Sequence, residues 1–179
     1  CMHCGGGLVA QYDRFGVVKC GDCGELVMWN EFPPAGLAGR SVTEFAKAFD
    51  RWTQHRFRMA MDHVCPNCAS GMAVQRISGA GDDDGTSVAG AFRCDTCKYE
   101  ARVPLFGLVL GHPAVIAFFH DAGIDVTSLP YWRLRELADA FREDVVTTDP
   151  WQAEVAVVYD DRELEVLVDE RFDVVELSE

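Results

Sequence analysis

The sequence predicts an α+β fold in which two four-cysteine β-ribbons alternate with helices and a three-stranded antiparallel β-meander follows. Three observations predict it. All eight cysteines fall into CxxC pairs, an apolar stripe of helical period lies between the second and third pairs, and residues 151–177 alternate between apolar and polar side chains. The chain of 179 residues is long enough for one medium domain or two small ones.

The cysteine spacing is the strongest signal in the sequence. Each CxxC turn can bring two sulfurs to one corner of a tetrahedral metal ion, and the hairpin between two such turns brings the other two sulfurs back to it. One CxxC pair is a weak signal because redox motifs and chance also produce it, but two complete units are a strong one. The sequence therefore predicts two zinc ions per chain, one on Cys1, Cys4, Cys20 and Cys23 and the other on Cys65, Cys68, Cys94 and Cys97.

The composition indicates an acidic protein. The formal charge is −13, from 29 acidic and 16 basic residues, and the only lysines are Lys19, Lys47 and Lys98. An acidic surface with so few lysines is typical of a protein adapted to high salt, where the repulsion between like charges is screened. An acidic protein from a low-salt environment is the alternative, but it would not explain the scarcity of lysine.

The sequence also indicates the cellular compartment of the protein. No apolar run reaches the length of a membrane span, and we expect no secretory leader. Metal-bound thiolates fit a reducing compartment better than a disulfide framework, which would predict less regular pairing. We expect a cytoplasmic protein without a membrane partner. Because the chain begins at a predicted ligand rather than at methionine, we interpret it as a fragment of a longer protein.

The first half of the chain contains a ribbon (residues 1–34) and a connecting helix (35–62). Strands are predicted at 8–12, 17–19 and 25–32. Ser41 and Glu44 form a capping-box pattern at the start of the helix, and the stripe of Phe45, Phe49 and Trp52 is predicted to be buried. Basic residues between Arg51 and Arg58 could form a small nucleic-acid patch, but an internal role as partners of acidic groups is favoured.

The second ribbon is predicted at residues 63–110, with strands at 72–77 and 87–93. The acidic tip between these strands, residues 78–85, does not match an EF-hand. Counting from Asp82, Ser87 and Arg93 stand where that loop needs glycine and glutamate.

The last segment, residues 111–179, is predicted to hold two helices and the meander. The helices are expected at 113–122 and 130–141, the second with a buried stripe of Leu134, Leu137, Ala138 and Phe141. Strands are predicted at 151–159, 164–168 and 172–177, with Trp151, Val155 and Val157 on the covered face.

No catalytic constellation is apparent. The best cysteine–histidine pair is Cys65 with His63, and zinc ligation would already occupy that thiolate. His3 lies inside the first CxxC pair and could replace a cysteine, but four thiolates are already present. His112 and His120 lack ligand partners at suitable spacing, so we expect them to be structural. The sequence predicts a protein that is not an enzyme.

Several segments together resemble one protein family. They are the Cys-Pro-x-Cys motif at residues 65–68, the run from Phe49 to Phe57, the run from His112 to Phe118, and Asp149-Pro150-Trp151 before the last sheet. These segments resemble the C-terminal region of the ArsR-like winged helix-turn-helix regulators of halophilic archaea, over essentially the whole chain. The resemblance implies a winged-helix DNA-binding domain before Cys1, and DNA contact only through that domain. Ala69 and Lys98 depart from the glycines that follow the knuckles of the first ribbon.

We therefore expect a zinc-stabilised accessory domain of an archaeal transcription regulator, used for dimerisation or for sensing. A homodimer is compatible with this expectation, and the sequence identifies no effector. Two alternatives stay open. One is a redox or metal sensor with a labile Cys4 site, and the other is a zinc ribbon that docks on the transcription machinery.

Overall fold

The computed structural model describes residue 1, residues 3–78 and residues 88–178. It divides the chain into two compact units. The first comprises Cys1–Arg56 and Leu129–Glu136, and the second comprises Phe57–Ser128 and Leu137–Glu179. Each unit contains one group of four cysteines. The architecture is α+β with antiparallel sheets, as the sequence predicts.

The first ribbon is a three-stranded antiparallel sheet in the order β1-β2-β3. Its strands are β1 (Leu8–Asp13), β2 (Phe15–Cys20) and β3 (Leu26–Glu31). All three were predicted from the sequence. Arg14 joins β1 to β2 with a φ of 65°, a left-handed conformation that lets the chain reverse within one residue.

The connecting helix, α1 (Val42–Met61), begins at the predicted capping box. The Ser41 backbone N–H donates to a Glu44 carboxylate oxygen at 2.8 Å, and the Glu44 N–H donates to the Ser41 hydroxyl at 3.4 Å. Phe45 and Phe49 are buried, as predicted. They form an apolar core with side chains from the ribbon, namely Val18, Met28 and Phe32.

The prediction that Trp52 is buried was wrong, because 38% of its surface is exposed. Its ring lies at the edge of the stripe, edge-on to Phe32, and its indole N–H donates to the Glu31 carbonyl at 3.1 Å. The guanidinium of Arg56 lies over the same ring, 5.4 Å from its centroid. An indole combines a polar N–H with a large apolar ring, so it suits a position at the margin of a core.

The second ribbon repeats the first in outline. Strands β4 (Ala73–Ser78), β5 (Val88–Arg93) and β6 (Glu100–Pro104) form an antiparallel sheet in that order. Phe92 and Val103 from this sheet pack with Ala60 near the end of α1. The predicted acidic tip lies, apart from Ser78, outside the described residues.

Two helices follow the second ribbon, α2 (Leu105–Val109) and α3 (Pro113–Asp121). The sequence predicted α3 but not α2. The imidazole of His112 caps α3 by accepting a hydrogen bond from the Ala114 N–H, and Gly123 ends the helix with a φ of 79°. No helix in the described part of the chain is both long and apolar enough to cross a membrane.

The C-terminal sheet has four strands, whereas the sequence predicted a three-stranded meander. Its strands are β7 (Phe141–Thr148), β8 (Trp151–Tyr159), β9 (Arg162–Asp169) and β10 (Val174–Ser178), in the order β10-β9-β8-β7. Trp151, Val155 and Val157 are buried, as predicted. The ring of Phe119 on α3 lies 5.9 Å from both Phe141 and Tyr159, which covers one end of this sheet.

The additional strand, β7, begins at Phe141, the last residue of the segment predicted as a helix over 130–141. Only Tyr131–Leu134 is α-helical there (α4), and a 3₁₀ segment, Arg135–Ala140, connects it to β7. Phe141 pairs with Val157 in the sheet and packs against Phe106, so tertiary pairing overrides the short helical stripe. The β-branched run Val145-Val146-Thr147-Thr148 is the sequence signal that indicates this strand.

Candidate metal centres

The first ribbon brings the sulfurs of Cys1, Cys4, Cys20 and Cys23 together, all within 4.8 Å of one another. Cys20 ends β2 and is buried, whereas Cys4 and Cys23 are exposed on the turns. The Sγ atoms of Cys1 and Cys23 are 3.8 Å apart, and those of Cys4 and Cys20 are 3.5 Å apart.

The second ribbon also brings four sulfurs within 4.8 Å of one another, those of Cys65, Cys68, Cys94 and Cys97. Cys65 and Cys94 are buried, and Cys68 and Cys97 are exposed. The Sγ atoms of Cys65 and Cys97 are 3.4 Å apart, and those of Cys68 and Cys94 are 3.6 Å apart. Each predicted set of four cysteines is therefore assembled as a group.

These separations fit a tetrahedral metal site. A zinc–sulfur bond of about 2.3 Å in a tetrahedron places neighbouring sulfurs about 3.8 Å apart. A disulfide would require about 2.05 Å, and all eight cysteines are free. The sulfurs are thus too far apart for disulfide bonds and close to the spacing that one metal ion imposes on four thiolates.

The two CxxC turns of the second site have the same backbone conformation as those of the first site, in which a glycine follows the second cysteine. Gly5 and Gly24 have positive φ values of 73° and 77°, and Ala69 and Lys98 adopt similar values of 58° and 63°. The N–H groups of Ala69 and Lys98 each donate at 2.9 Å to the carbonyl of the first cysteine in their pair. Ala69 and Lys98 therefore form the same turn that glycine forms in the first site, although a side chain at these φ values adds backbone strain.

Backbone N–H groups in the knuckles point at the sulfurs. In the first site the N–H groups of Asp22 and Cys23 lie 3.4 and 3.5 Å from Cys20 Sγ. The hydrogen bond from Cys23, followed by the one from Asp22, lowers the pKa of Cys20 to about 7. In the second site the backbone N–H of Ser70, followed by its hydroxyl, lowers the pKa of Cys68 to about 6. Both shifts favour the thiolate, which is the form that binds metal.

Not every thiol in a cluster ionises easily without a cation. The N–H of Tyr99 lowers the pKa of Cys97, but partial desolvation and contact with the other three thiols outweigh it and raise that pKa to about 12. Four thiolates at this spacing repel one another, and a divalent cation among them would offset the repulsion. The donor set therefore fits a dipositive, sulfur-preferring metal ion.

The histidines considered above as metal ligands or catalytic residues lie outside the two cysteine clusters. His3 is exposed and is not among the ligand atoms of the first group. The His63 ring nitrogen Nδ1 lies 3.2 Å from the Met72 carbonyl, and His112 caps α3. Ser70 was not predicted from the sequence. A hydroxyl two positions after the second cysteine of a pair is the signal that could have identified it.

Together the fold and the two clusters define a protein with two four-cysteine β-ribbons and a separate C-terminal antiparallel sheet. A family model described as "Domain of unknown function (DUF7351)" matches residues 1–174. The chain belongs to this family. Neither a curated protein nor a solved structure matches it.

Proposed function

We propose that the chain is a zinc-stabilised accessory domain of an archaeal transcription regulator and that each cysteine cluster holds one structural zinc ion. The observation that carries the zinc assignment is the assembly of four sulfurs in each ribbon at distances of 3.4 to 3.8 Å for the closest pairs. Sulfur-only tetrahedral sites select zinc or iron, and zinc is the usual metal of ribbons with this ligand spacing.

A structural role suits these sites better than a catalytic one. Catalytic zinc keeps a coordination position open for water or substrate, whereas four protein thiolates fill a tetrahedral shell. The buried ligands Cys20, Cys65 and Cys94 also tie each site to the core of its own ribbon. The metal would then contribute to folding, which small three-stranded sheets need because their apolar cores are small.

The regulator role rests on the family resemblance and on the acidic, lysine-poor composition. In this proposal the chain supplies dimerisation or sensing, and a winged-helix domain elsewhere in the polypeptide reads DNA. Two of the basic residues of α1 already have acidic partners. Arg56 is buried and lies 3.8 Å from a Glu31 carboxylate oxygen, and Arg58 pairs with Asp62. Phosphate contacts dominate DNA affinity, so a chain with a formal charge of −13 should bind DNA weakly.

The experiment is a DNA titration of this chain beside the full-length gene product, with the gene's own upstream region at matched salt. We expect the full-length protein to bind and this chain alone not to bind. Comparable binding by both would indicate that the ribbons themselves recognise DNA. Failure of both to bind would remove the support for the regulator role and leave the zinc assignment to be tested separately.

A labile site is the second candidate function. Cys4, Cys23, Cys68 and Cys97 are exposed, so an oxidant can reach at least two sulfurs in each cluster. A sensor should release zinc from one site under mild peroxide and regain it after reduction. Retention of metal at both sites under the same treatment would favour the structural role.

A further inference from the structure

Residues Leu129–Glu136, which we name the strap, belong to the first unit, although the chain on both sides of them belongs to the second. The strap contains α4 and the first residues of the 3₁₀ segment. Because the chain continues into the second unit at both ends of the strap, the contacts that hold the strap on the first unit also hold those two chain connections in place.

One attachment of the strap is polar and lies on α1. The side-chain nitrogen of Gln54 donates to the Leu129 carbonyl at 3.1 Å, and the Asp50 carboxylate accepts a hydrogen bond from the Tyr131 N–H. Gln54 also donates to Asp50, so the two side chains act as one clasp. These hydrogen bonds fix the first residues of the strap, and the rest of it is held by packing.

The second attachment is apolar and lies on the first ribbon. Helix α4 packs against β3, and the side chains of Tyr131 and Trp132 pack, partly buried, against the core of the ribbon. Leu134 is buried. The charged end of the strap is already satisfied locally, since Arg133 pairs with Glu136 at 3.0 Å. Apolar contact therefore determines how this part of the strap docks.

The apolar attachment lies beside the first cysteine cluster. A cavity of about 70 Å³ separates the strap from the turns that carry the cysteines, and its lining includes Cys1, His3 and Glu25 beside the cluster, Val27 of β3, and Trp132 and Glu136 of the strap. Small-molecule sites usually have volumes of about 300–1,000 Å³, so this cavity is too small to be one. We interpret it as the seam between the strap and the cluster.

The strand under the strap is tied directly to the cluster. The N–H of Cys20 donates to the Glu25 carbonyl at 2.8 Å, and β3 begins at the next residue, Leu26. A metal ion would join this turn to the turn that carries Cys4, whose Sγ lies 3.5 Å from that of Cys20. Without a cation the thiolates repel one another and the two turns lose their cross-link. The surface on which Trp132 packs should therefore depend on the metal.

We propose that metal binding at the first cluster and docking of the strap are coupled, so that bound metal holds the strap on the ribbon and the docked strap raises the metal affinity of that cluster. This inference rests on the proposed zinc site and deepens the sensing role, because it gives metal occupancy a path into the chain of the second unit. Coupling between two binding events is reciprocal. A looser strap must therefore weaken metal binding at the first cluster and leave the second cluster unchanged.

The test is an equilibrium titration of the zinc-loaded chain with a chromophoric zinc chelator. Cys20→Ser and Cys94→Ser, which each keep one cluster, assign the two steps of zinc release. Trp132→Ala removes the ring at the seam and should lower the zinc affinity of the first cluster at least about tenfold, which corresponds to about 1.4 kcal/mol. The affinity of the second cluster should change less than about twofold.

Two further variants separate strap docking from local packing. Gln54→Ala loosens the strap at its other attachment and does not alter the seam, and it should lower the affinity of the first cluster at least about threefold. Trp29→Ala is the matched control. Trp29 also lies on β3, but it is 56% exposed and its ring stacks on Phe15, so its removal should change the affinity less than about twofold. Circular dichroism of each zinc-loaded variant shows whether it is folded.

Hydrogen exchange tests the coupling in the opposite direction. The amides of Tyr131 and Leu134, which donate to Asp50 and to the Pro130 carbonyl, report on the strap. They should lose protection in Cys20→Ser, which lacks metal at the first cluster, and keep it in Cys94→Ser. This measurement does not depend on whether Trp132→Ala folds.

Four results would overturn the proposal. They are unchanged zinc affinity of the first cluster in folded Trp132→Ala or in Gln54→Ala, an equal loss of affinity at both clusters, an equal effect of Trp29→Ala and Trp132→Ala, and retained strap protection in Cys20→Ser. The absence of zinc from the first cluster of the wild-type chain would contradict the zinc assignment and this inference together. Normal zinc content with any of the four results would contradict the coupling alone.

Discussion

The buried carboxylate of Asp50 accepts a 2.7 Å hydrogen bond from the backbone N–H of Tyr131, eighty-one positions later in the chain. Gln54 donates to both oxygens of the same carboxylate at 3.0 Å, and its side-chain nitrogen also donates to the Leu129 carbonyl at 3.1 Å. Burial raises the pKa of Asp50, and the hydrogen bonds from Tyr131 and Gln54 only partly oppose this rise. Asp50 thereby links residues 129–136 to α1 within the first unit.

Replacement of Asp50 should separate its hydrogen bonds from its charge. Asp50→Ala should cost about 1–3 kcal/mol in the free energy of unfolding, because it removes the buried carboxylate that accepts hydrogen bonds from Tyr131 and Gln54. Asp50→Asn should cost less, because it keeps one acceptor oxygen and never ionises. Urea unfolding in saturating zinc measures both. Equal losses in the two variants would mean that the acceptor oxygen contributes nothing.

The raised pKa of Asp50 also predicts the sign of a pH effect. The protonated carboxyl is favoured more in the folded state than in the unfolded one. Its stabilising contribution is therefore complete below the unfolded pKa and is lost as pH rises through the higher folded pKa. The stability of the wild-type chain relative to Asp50→Asn should fall with pH over that window and then level off. A relative stability that increases with pH would contradict the burial of this carboxyl.

Phe49 and Gly16 should be energetically coupled in the core of the first ribbon. Phe49 is fully buried, and a Cβ atom added at Gly16 would lie 2.5 Å from its ring. Phe49→Ala should cost roughly 3–5 kcal/mol, and Gly16→Ala roughly 1–3 kcal/mol from overpacking. In the Phe49→Ala background the Gly16→Ala cost should shrink, because the ring that it would strike is gone.

Val42→Ala is the control for the Phe49 and Gly16 substitutions, because Val42 lies on the same helix as Phe49 and is largely exposed. It should change stability by less than about 0.5 kcal/mol. A cost below about 1 kcal/mol for Phe49→Ala, measured in saturating zinc and high salt, would mean that the stripe is not a core.

The parts of the fold that were predicted correctly are those with strong local chemistry. The CxxC spacing predicted both cysteine groups, and the Ser41–Glu44 capping box and the Phe45–Phe49 spacing predicted α1. These signals depend on neighbours a few residues away or on a spacing that the metal site demands. The sequence could therefore indicate them without knowledge of the tertiary structure.

The parts that could not be predicted depend on distant partners. The predicted helical stripe of Leu134, Leu137, Ala138 and Phe141 reaches the first residue of β7, but Phe141 pairs with Val157 and begins an edge strand. Trp52 continues the helical stripe, yet a hydrogen bond to the Glu31 carbonyl holds it at the margin of the core. The exposure of Trp29 could not be predicted either, because alternation alone does not show that both faces of a sheet are apolar.

Removal of metal should unfold the ribbons. Structural zinc in small domains contributes about 10–16 kcal/mol of apparent binding free energy, which is comparable to the whole net stability of a domain at about 5–15 kcal/mol. A chelator should therefore abolish amide protection in β1–β6, and added zinc should restore it. Hydrogen exchange measures this strand by strand. Protection that survives complete removal of metal would show that the sheets fold without it.

The metal content of the purified chain tests the central claim most directly. Elemental analysis after purification without chelator should give two zinc ions per chain. Cys20→Ser and Cys94→Ser should each lose the metal of one ribbon and retain that of the other, because each removes a buried ligand from a different cluster. One zinc ion or none in the wild-type chain, or iron in place of zinc, would contradict the account.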